Sequence, residues 1–418
     1  MRNFLSIKFI LLFSVLVVSI TNAQNGSVYT RSGIGDLEYG YSPKMIGIGN
    51  LGITQLDPDH LLTSNPASWS ALSSTRIELG LGYKGILISD ANQSNFTSEV
   101  EFTGFTFGFP VSRSLGIGAV SGIVPYSSVS YKVKQNRAAD NDLPALSDTY
   151  EGKGGLSKVF LGTSVYLPFN FSVGITLDYF FGNQNYLFTR EFENDDDFIN
   201  TVYENSHRST GFGTSVGLIS PNLAKDLKID FLSDLRFGFA YNYLGSINTD
   251  TIYTSTSDLT VDTLVSGTAK TEIPGRINGG LSFSFNDEYS VSFDYMFQPF
   301  SKYKFDGKID PNLKDANKFS AALEYQAKRT VGMTLWEQII WRFGFSYEQT
   351  PYTFNGNDIN QYSTFAGLSY PLGIENTIDF AIEYSNRGTT DNNLLNENAI
   401  KLYVGLSFGE LWFLRYDK

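Results

Sequence analysis

Few side chains in this 418-residue chain have the type and spacing that catalysis or metal binding requires. The sequence contains two histidines, His60 and His207, and no cysteine. A hydrolase needs a histidine beside a nucleophile or an activated water, and neither histidine lies in a phrase that supplies one. The ligand spacing of a metal site is also absent. The sequence therefore predicts no catalytic residue, no metal ligand and no cofactor.

The densest group of carboxylates runs from Glu191 to Asp197. It resembles a cation site in composition only, because it lacks the glycine that gives a calcium loop its sharp turn. We interpret it as a solvated loop.

Charges of both signs also recur at alternate positions along candidate strands. They are Glu78, Lys84, Asp178, Arg236, Asp294, Glu324, Arg342, Glu383, Arg387 and Lys401. An unpaired buried charge is costly, so we expect these residues to pair with one another rather than to act as acids and bases. The sequence thus predicts that the protein is not an enzyme.

The elements that carry these charges are predicted to be strands in which polar and apolar residues alternate. In Ile378–Tyr384 the even-numbered residues are apolar or aromatic, while the odd-numbered ones include Asp379 and Glu383. Ala399–Phe408 alternates in the same way. Such segments recur about fourteen times, each near the roughly 9–11 residues that a tilted strand needs to cross a membrane. Short connections alternate with long polar ones such as Asn248–Thr268, which we expect to be outer loops.

Alternation alone leaves two all-β classes open, a soluble β-sandwich or propeller and a membrane barrel. Aromatic residues make up 15% of the chain and concentrate on the apolar faces, while glycine and serine dominate the opposite faces. An aromatic-rich outer surface around a polar lumen is typical of outer-membrane barrels. We therefore predict an all-β fold, an antiparallel transmembrane β-barrel of about 14 strands whose closure removes exposed sheet edges. A bulge is expected near Gly104, where the alternation changes phase.

The N-terminus has the features of a secretory signal. Arg2 and Lys8 flank the start of a chain in which Phe9–Ile20 is hydrophobic but too short for a spanning helix, and Ala23 ends a small-residue cleavage site. The net charge of −12 gives no basic patch for nucleic acid. We expect a signal peptide over residues 1–23 and localisation to the outer membrane of a Gram-negative cell.

One long stretch after the signal, Met45–Leu72, does not alternate as a strand does. Its glycines and the pair Asp57-Pro58 indicate a compact unit rich in turns. It ends in Asn65-Pro66-Ala67-Ser68-Trp69, where proline excludes a central strand and asparagine can satisfy nearby backbone donors. We predict that residues 24–75 form a plug, or hatch, in the lumen and that residues 76–418 form the barrel.

This plug and barrel together resemble the FadL/TodX family of outer-membrane channels for hydrophobic compounds. Asn65, Pro66 and Ala67 match the Asn-Pro-Ala signature at the end of that family's hatch. The glycine-rich phrases Arg31–Leu37 and Ile46–Gly52 precede it, and the resemblance covers the mature chain. It implies passive uptake of a hydrophobic small molecule, a long-chain fatty acid or similar, by a barrel surrounded by outer-membrane lipid.

In that family, ligands leave the lumen sideways through a gap at a kinked third strand. The third strand predicted here, Leu115–Val133, contains Gly122, Pro125 and Tyr126. Proline cannot donate a ladder hydrogen bond, so a local break in pairing is expected at Pro125. Two interpretations stay open, a lateral opening within the membrane or a proline that already lies above it.

A ligand groove is expected among aromatic residues of the outer loops, although packing within the loops is the simpler account of any single one. The candidates are Phe192, Phe198, Tyr253, Tyr303, Phe305, Tyr352 and Phe354. A continuous apolar groove from these loops to the third strand would favour the channel function.

Relatives of FadL such as PorV and PorQ use the same scaffold to hold cargo or other subunits. This leaves an alternative function, a non-transporting partner subunit of an outer-membrane secretion or assembly machine. A protein partner would bind at the outer loops or at the periplasmic face, where the tail Leu411–Lys418 extends past the last strand. A filled lumen with an apolar patch on the loops would favour this alternative.

Overall fold

The computed structural model describes residues 26–139, 144–193, 198–257, 260–328, 332–373 and 375–410. Three features predicted from the sequence lie outside these residues. They are the signal peptide, residues 194–197 of the acidic run, and the tail Leu411–Lys418.

The described residues form one continuous sheet of nineteen strands. In chain order these are β1 (Asp36–Leu37), β2 (Thr75–Ser89), β3 (Ser94–Ser112), β4 (Ile117–Arg137), β5 (Leu146–Tyr166), β6 (Ser172–Phe192), β7 (Thr201–Ile219), β8 (Asp234–Leu244), β9 (Ser246–Ser257), β10 (Val261–Glu272), β11 (Arg276–Phe285), β12 (Tyr289–Gln298), β13 (Lys304–Phe305), β14 (Lys308–Ile309), β15 (Ala316–Tyr325), β16 (Ile340–Phe354), β17 (Asn357–Pro371), β18 (Thr377–Gly388) and β19 (Asn396–Glu410).

Helical structure in the described residues is confined to short pieces. The α-helices are α1 (Pro43–Gly47) and α2 (Leu223–Asp226). The 3-10 helices are Val28–Arg31, Pro66–Ala71, Pro168–Asn170, Phe300–Lys302, Leu335–Gln338 and Asp391–Asn393. No helix in the described ranges is long and apolar enough to cross a membrane.

The sheet closes on itself into an antiparallel barrel. β19 pairs with β2 from Asn396↔Ser89 to Glu410↔Thr75, which joins the last strand to the first strand of the wall. Fourteen strands make up the wall when β8 with β9, and β10 with β11, are each counted as one interrupted strand. The two-residue strands β1, β13 and β14 are additions to it. The predicted fold class and strand number are confirmed.

The wall is apolar outside and polar inside, as the alternation in the sequence predicts. Along β18, Phe380, Ile382 and Tyr384 are exposed, whereas Asp379 and Glu383 are only 3% and 2% exposed. A barrel with an apolar exterior suits hydrocarbon, because closure pairs the backbone groups within the wall. The chain is thus built as an outer-membrane barrel.

A bulge interrupts β3 where the sequence alternation changes phase. Gly80 pairs with Gly104, but the next residue, Leu81, pairs with Phe102, so Thr103 is the additional residue. Gly104 has a φ of 156°, a conformation that residues with a side chain rarely adopt. The bulge predicted near Gly104 is confirmed.

Part of the wall rises above the rest on the side of the long connections. β4, β5 and β6 have 21 residues each, whereas β11, β12 and β15 have 10 each. About ten residues already span a membrane, so the surplus of β4–β7, together with β9 and β10, projects outward. We call this projecting part the raised sheet.

The prediction that Asn248–Thr268 is an outer loop is wrong, because β9 and β10 occupy most of this range. β10 is exposed at nearly every position, so both of its faces meet water. A strand with two wet faces lacks the apolar period that marks a membrane strand, and its threonines and serines resemble loop composition.

Candidate functional site

The N-terminal residues 26–74 lie inside the barrel, and we call them the inner segment. Its lower part, residues 42–74, is nearer the short turns, and its upper part is residues 26–41. Met45 and Trp69 of the lower part are 0% and 1% exposed. α1 contacts β16–β19, and the 3-10 helix that precedes β2 contacts β4–β7. Contacts with two separate parts of the wall place the inner segment across the lumen.

Asn65 fixes the lower part to the wall. Its Oδ1 accepts a hydrogen bond from Ala67 N at 3.1 Å and so caps the following 3-10 helix. Its Nδ2 donates to Ile53 O at 2.8 Å, and to Leu218 O and Phe239 O at 3.3 Å each. One asparagine thus satisfies buried backbone groups of the inner segment, β7 and β8, which gives the predicted Asn-Pro-Ala motif a structural role.

Charged groups also hold the lower part. Lys44 pairs with Asp57 within the inner segment and lies 3.8 Å from Glu324 of β15. His60 lies between two carboxylates, with Nδ1 3.2 Å from Asp57 and Nε2 3.2 Å from Asp379 of β18. Within the described ranges, no group of three or more His, Asp or Glu residues is arranged to hold a metal ion.

Eight of the ten charges expected to pair form ion pairs, but only Arg342–Glu324 and Lys401–Glu383 join two of the ten. The pairs are Lys84–Glu99, Lys158–Asp178, Arg236–Asp234, Arg342–Glu324, Arg387–Asp36 and Lys401–Glu383. Two other carboxylates bind the inner segment instead. Glu78 accepts from Leu61 N at 3.0 Å, and Asp294 accepts from Gly52 N at 2.9 Å. Glu78, Asp294 and Arg387 thus bind the inner segment, and the other pairs lie within the wall.

β3 and β4 are paired over only part of their length. Their ladder ends at Phe105↔Ile123, although both strands continue beyond it. β4 keeps its pairing with β5 past this point, with a register shift just after Pro125. Ser94–Gly104 of β3 and Val124–Arg137 of β4 therefore have no ladder pairing with each other, and we call this interval the seam.

The upper part of the inner segment covers the free edge of β4 at the seam. β1 pairs with Ser127 and Ser128, and Glu38 N donates to Tyr126 O at 3.0 Å. Farther along β4, Ser130 N donates to Thr30 Oγ1 at 3.3 Å. These contacts replace those that β3 makes below the seam, which satisfies an edge that would otherwise be unpaired.

A cavity of about 400 Å³ lies behind the seam, between the inner segment and the wall. Phe102 and Pro125 line it from the two edges of the seam, Tyr41 from the inner segment, and Phe180 and Leu244 from β6 and β8. Its volume lies within the range of about 300–1,000 Å³ that is usual for small-molecule sites.

One side of the cavity is a stack of charged and aromatic side chains. The Arg276 guanidinium lies 5.1 Å from the ring centre of Tyr39 and 5.4 Å from that of Tyr126. Tyr126 also packs edge-on against Phe180, with 5.0 Å between the ring centres. Sequence reasoning missed Arg276 and Tyr39, because β11 and the inner segment meet only in the folded barrel. The sole local signal is the position of Arg276 directly after Pro274-Gly275, at the start of a strand.

The residues predicted at the kink divide into two groups. Pro125 and Tyr126 line the cavity, and Tyr126 is 9% exposed. Gly122 does not line it but pairs with Thr106 just below the seam. A Cβ at Gly122 would lie 2.7 Å from Phe105 O, so the glycine permits close packing at the end of the ladder. Gly122, Pro125 and Tyr126 all lie within β4.

Buried side chains fill the upper lumen, and we call them the mouth cluster. Its members are Tyr29, Ile34, Tyr126, Leu156, Phe180, Leu244, Ile247, Ile273, Phe300, Tyr303, Leu313, Ala316, Tyr352, Ile359 and Leu394. The groove candidates Tyr303 and Tyr352 belong to it, at 5% and 4% exposure, and Phe305 and Phe354 pack against it. Burial raises the pKa of the Tyr303 hydroxyl. These residues form a core rather than an open groove.

The other groove candidates lie elsewhere. Phe192 and Phe198 pack on each other with 4.9 Å between ring centres. Tyr253 stacks on Tyr203 in the raised sheet, with 6.1 Å between ring centres. None of the predicted groove residues lines the cavity behind the seam. The structure therefore does not bring them together in one site.

The sequence matches the family model described as BamG over residues 6–417. It matches no curated protein.

Solved channels of distant sequence share the fold. The Ralstonia pickettii toluene transporter TbuX is 16% identical, with a TM-score of 0.59 over 89% of this chain and 99% of that one. The Pseudomonas putida toluene transporter TodX is 16% identical, with a TM-score of 0.58 over 90% and 99%. A Pseudomonas aeruginosa FadL homologue is 11% identical, with a TM-score of 0.54 over 93% and 99%. The predicted resemblance to FadL/TodX barrels is confirmed for the fold.

Proposed function

The chain belongs to the BamG family, and we propose that it is an outer-membrane channel that takes up hydrophobic small molecules and releases them sideways through the seam. One observation carries this proposal, namely that cavity and seam adjoin. Phe102 and Pro125 line the cavity at the two strand edges that lack ladder pairing. A molecule in the cavity is therefore next to this interruption in the wall, behind the residues that cover the edge of β4.

The fold neighbours support this ligand class. TbuX and TodX are toluene transporters, and CymD is a monoaromatic hydrocarbon channel. Long-chain fatty acids and similar amphiphiles belong to the proposed range as well. Because the shared fold alone does not fix a ligand, the proposal rests on the cavity of this chain.

Movement of the upper part of the inner segment would open the seam. That part holds β4 through the two residues of β1, through Glu38 N, and through Thr30, whose Oγ1 accepts from Ser130 N and donates to Ser130 O. On its other side, Arg387 Nη1 donates to the two carboxylate oxygens of Asp36 at 2.9 and 2.8 Å. Each neutral hydrogen bond contributes about 0.5–1.5 kcal/mol net, so release of the seam contacts alone costs less than unfolding the barrel. Passage down a concentration gradient then needs no energy source.

A disulfide between β1 and β4 tests the proposal. Leu37 and Ser127 are register partners, and the chain has no native cysteine that could interfere. Antiparallel partners lie within the Cα separation that a disulfide accepts. We expect oxidised Leu37→Cys/Ser127→Cys protein to lose uptake of radiolabelled toluene and oleate in cells, and to regain it after reduction.

A matched disulfide away from the seam is the control. Ser346 and Ser363 are register partners in β16 and β17, and oxidised Ser346→Cys/Ser363→Cys protein should transport normally. Undiminished uptake through the Leu37–Ser127 variant, with its disulfide shown to be complete by mass spectrometry, would contradict the channel function.

A partner subunit of an outer-membrane machine is the second candidate function, and the raised sheet favours it. Within the described residues, β10 pairs with β9 on one side, and its other edge is paired only at Thr271 and Glu272. Val261, Leu264 and Val265 of this strand are 72%, 50% and 59% exposed. A free strand edge with exposed apolar side chains is a common place for another chain to bind. The filled upper lumen is consistent with the same role.

A photo-crosslinking residue at Leu264 in living cells tests this second candidate. A stoichiometric adduct with one protein, together with no small molecule in native mass spectra, would favour the partner role. Phe380, which is 38% exposed on the outer face of β18, is the control position and should give no protein adduct. Recovery of bound ligand without any adduct at Leu264 would reject the partner role.

A further inference from the structure

The cavity behind the seam carries buried polar atoms that have no hydrogen-bond partner among the described residues. They are Arg276 Nη2, Asn278 Oδ1, Asp178 Oδ1 and Thr103 Oγ1. Their residues all line the cavity and are 8%, 2%, 1% and 6% exposed. Buried polar groups in folded proteins are nearly always hydrogen-bonded, and a guest with a polar head would supply partners to these four residues.

Arg276 is held in place without the use of all its donors. Its Nε donates to Gln298 Oε1 at 3.1 Å, and the rings of Tyr39 and Tyr126 flank the guanidinium. Among the described residues, no carboxylate forms an ion pair with it. A fixed guanidinium with a free N–H suits a phosphate or carboxylate oxygen.

Two acceptors line the same cavity. Asp178 Oδ2 accepts from Ser215 Oγ at 3.0 Å and lies 3.5 Å from Lys158 Nζ, while Asp178 Oδ1 has no partner in the described part of the chain. Asn278 Nδ2 donates to Asn242 Oδ1 at 2.9 Å, while its Oδ1 likewise has no partner there. A head group that satisfies the cavity must therefore donate hydrogen bonds as well as accept them.

The polar groups of the lining distinguish three classes of ligand: a hydrocarbon, a fatty acid and a zwitterion. The lining has the carboxylates of Glu38, Glu101 and Asp178 and the cations of Lys158 and Arg276, and Lys84 and Lys401 lie near enough to act electrostatically on Glu38. A hydrocarbon would leave every polar atom unpaired. A fatty-acid carboxylate would bind Arg276, but it would leave the two acceptors without donors. A zwitterion adds no net charge and supplies both an anion and N–H donors.

We propose that the cavity binds the head group of a zwitterionic, single-chain lipid that carries a phosphate and a primary ammonium. The phosphate pairs with Arg276, and the ammonium donates to Asp178 and Asn278. The acyl chain leaves past Phe102 and Pro125, between the edges of the seam, toward the hydrocarbon. This assignment rests on the proposed function for the opening of the seam, and it narrows the ligand to one class of lipid.

Binding of lysophosphatidylethanolamine to the delipidated mature protein in detergent micelles tests the assignment. We expect one bound molecule per barrel by native mass spectrometry, and at least a tenfold loss of affinity in Arg276→Gln. Asp178→Asn should weaken this binding while leaving intact the binding of lysophosphatidic acid, which has the phosphate but no ammonium. Arg236→Gln is the matched control, because Arg236 pairs with Asp234 and does not line the cavity.

Asn278→Ala takes the place of Asp178→Asn if the latter does not migrate as a folded, heat-modifiable barrel. Equal binding of toluene or laurate by the wild type and Arg276→Gln, without binding of lysophosphatidylethanolamine, would overturn the head-group assignment and leave the channel function standing. A cavity that holds water only, with no lipid bound at any concentration, would overturn it too. Failure of the Leu37–Ser127 disulfide to stop uptake would instead remove the channel function.

Discussion

The lower and upper parts of the inner segment share one lumen but are held in opposite ways. The lower part buries Trp69, and Asn65 and His60 bond it to strands on different sides of the barrel. The upper part packs Tyr29 and Ile34 into the mouth cluster, but its contacts at the seam are the two-residue β1 and hydrogen bonds of Glu38 and Thr30. Weakly paired backbone opens first, so we assign a fixed stopper to the lower part and a movable cover to the seam contacts of the upper part.

Replacement of Trp69, in the lower part, should have the largest effect on the free energy of unfolding. Its indole is 1% exposed, donates to Leu62 O at 2.7 Å and stacks on Phe160 with 5.9 Å between ring centres. We expect Trp69→Ala to lower the free energy of unfolding by about 3–5 kcal/mol, measured by urea unfolding in phospholipid vesicles. Trp336, at 75% exposure, is the control, and its replacement by alanine should cost about 0.5 kcal/mol or less. Equal losses in the two variants would show that the lower part is not a core.

Replacement of Asn65 should have the next largest effect. Asn65→Ala removes the cap of a 3-10 helix and leaves buried carbonyl groups of Ile53, Leu218 and Phe239 with fewer donors. We expect a loss of roughly 2 kcal/mol in the same unfolding experiment. Asn95→Ala, at an exposed position of β3, should be close to neutral. A loss no larger than that of Asn95→Ala would show that Asn65 does not hold the lower part in place.

A change in the upper part should affect exchange more than stability. Thr30→Val removes the hydroxyl that bonds Ser130 at the seam, and we expect a loss of about 1 kcal/mol or less in the free energy of unfolding. Hydrogen exchange of the β4 amides along the seam should nevertheless become faster, since their cover is looser. Thr214→Val removes a hydroxyl that donates to Thr176 O inside the wall and is the control. Unchanged exchange at the seam would argue against a movable cover.

The smallest effect is expected in the raised sheet, where the protection of amides from exchange should depend on pH. Arg190 donates from Nε and Nη2 to Asp148 at 2.7 and 2.8 Å, and this hydrogen bonding holds the pKa of Asp148 below its usual value. A lowered folded-state pKa gives stability that is complete above the unfolded pKa of about 4 and is lost as the pH falls through the folded pKa. We expect amide protection in the raised sheet to fall below about pH 4, while the barrel stays folded. Asp148→Asn should abolish this pH dependence, and its persistence there would assign it to another group.

The strands of the membrane wall could be predicted from the sequence, because a strand between lipid and lumen must alternate apolar and polar residues. β18 shows this, with apolar side chains outside and Asp379 and Glu383 inside. The break at Pro125 and the cap at Asn65 are also local chemistry, which a single residue type encodes. The raised sheet could not be predicted in this way, because water meets both of its faces and its strands need no apolar side. The cavity could not be predicted either, because Tyr39, Pro125 and Arg276 are far apart in the sequence and meet only after the barrel closes.

Hydrogen exchange of the two parts of the inner segment, in the same protein embedded in lipid nanodiscs, tests the account most directly. We predict that amides of residues 26–41 exchange by local opening, at least about a hundredfold faster than those of residues 42–74, which open only with the barrel. Added ligand should slow exchange most in the upper part, because that part opens locally. Exchange of both parts together, at one rate and with one response to ligand, would contradict the division into stopper and cover.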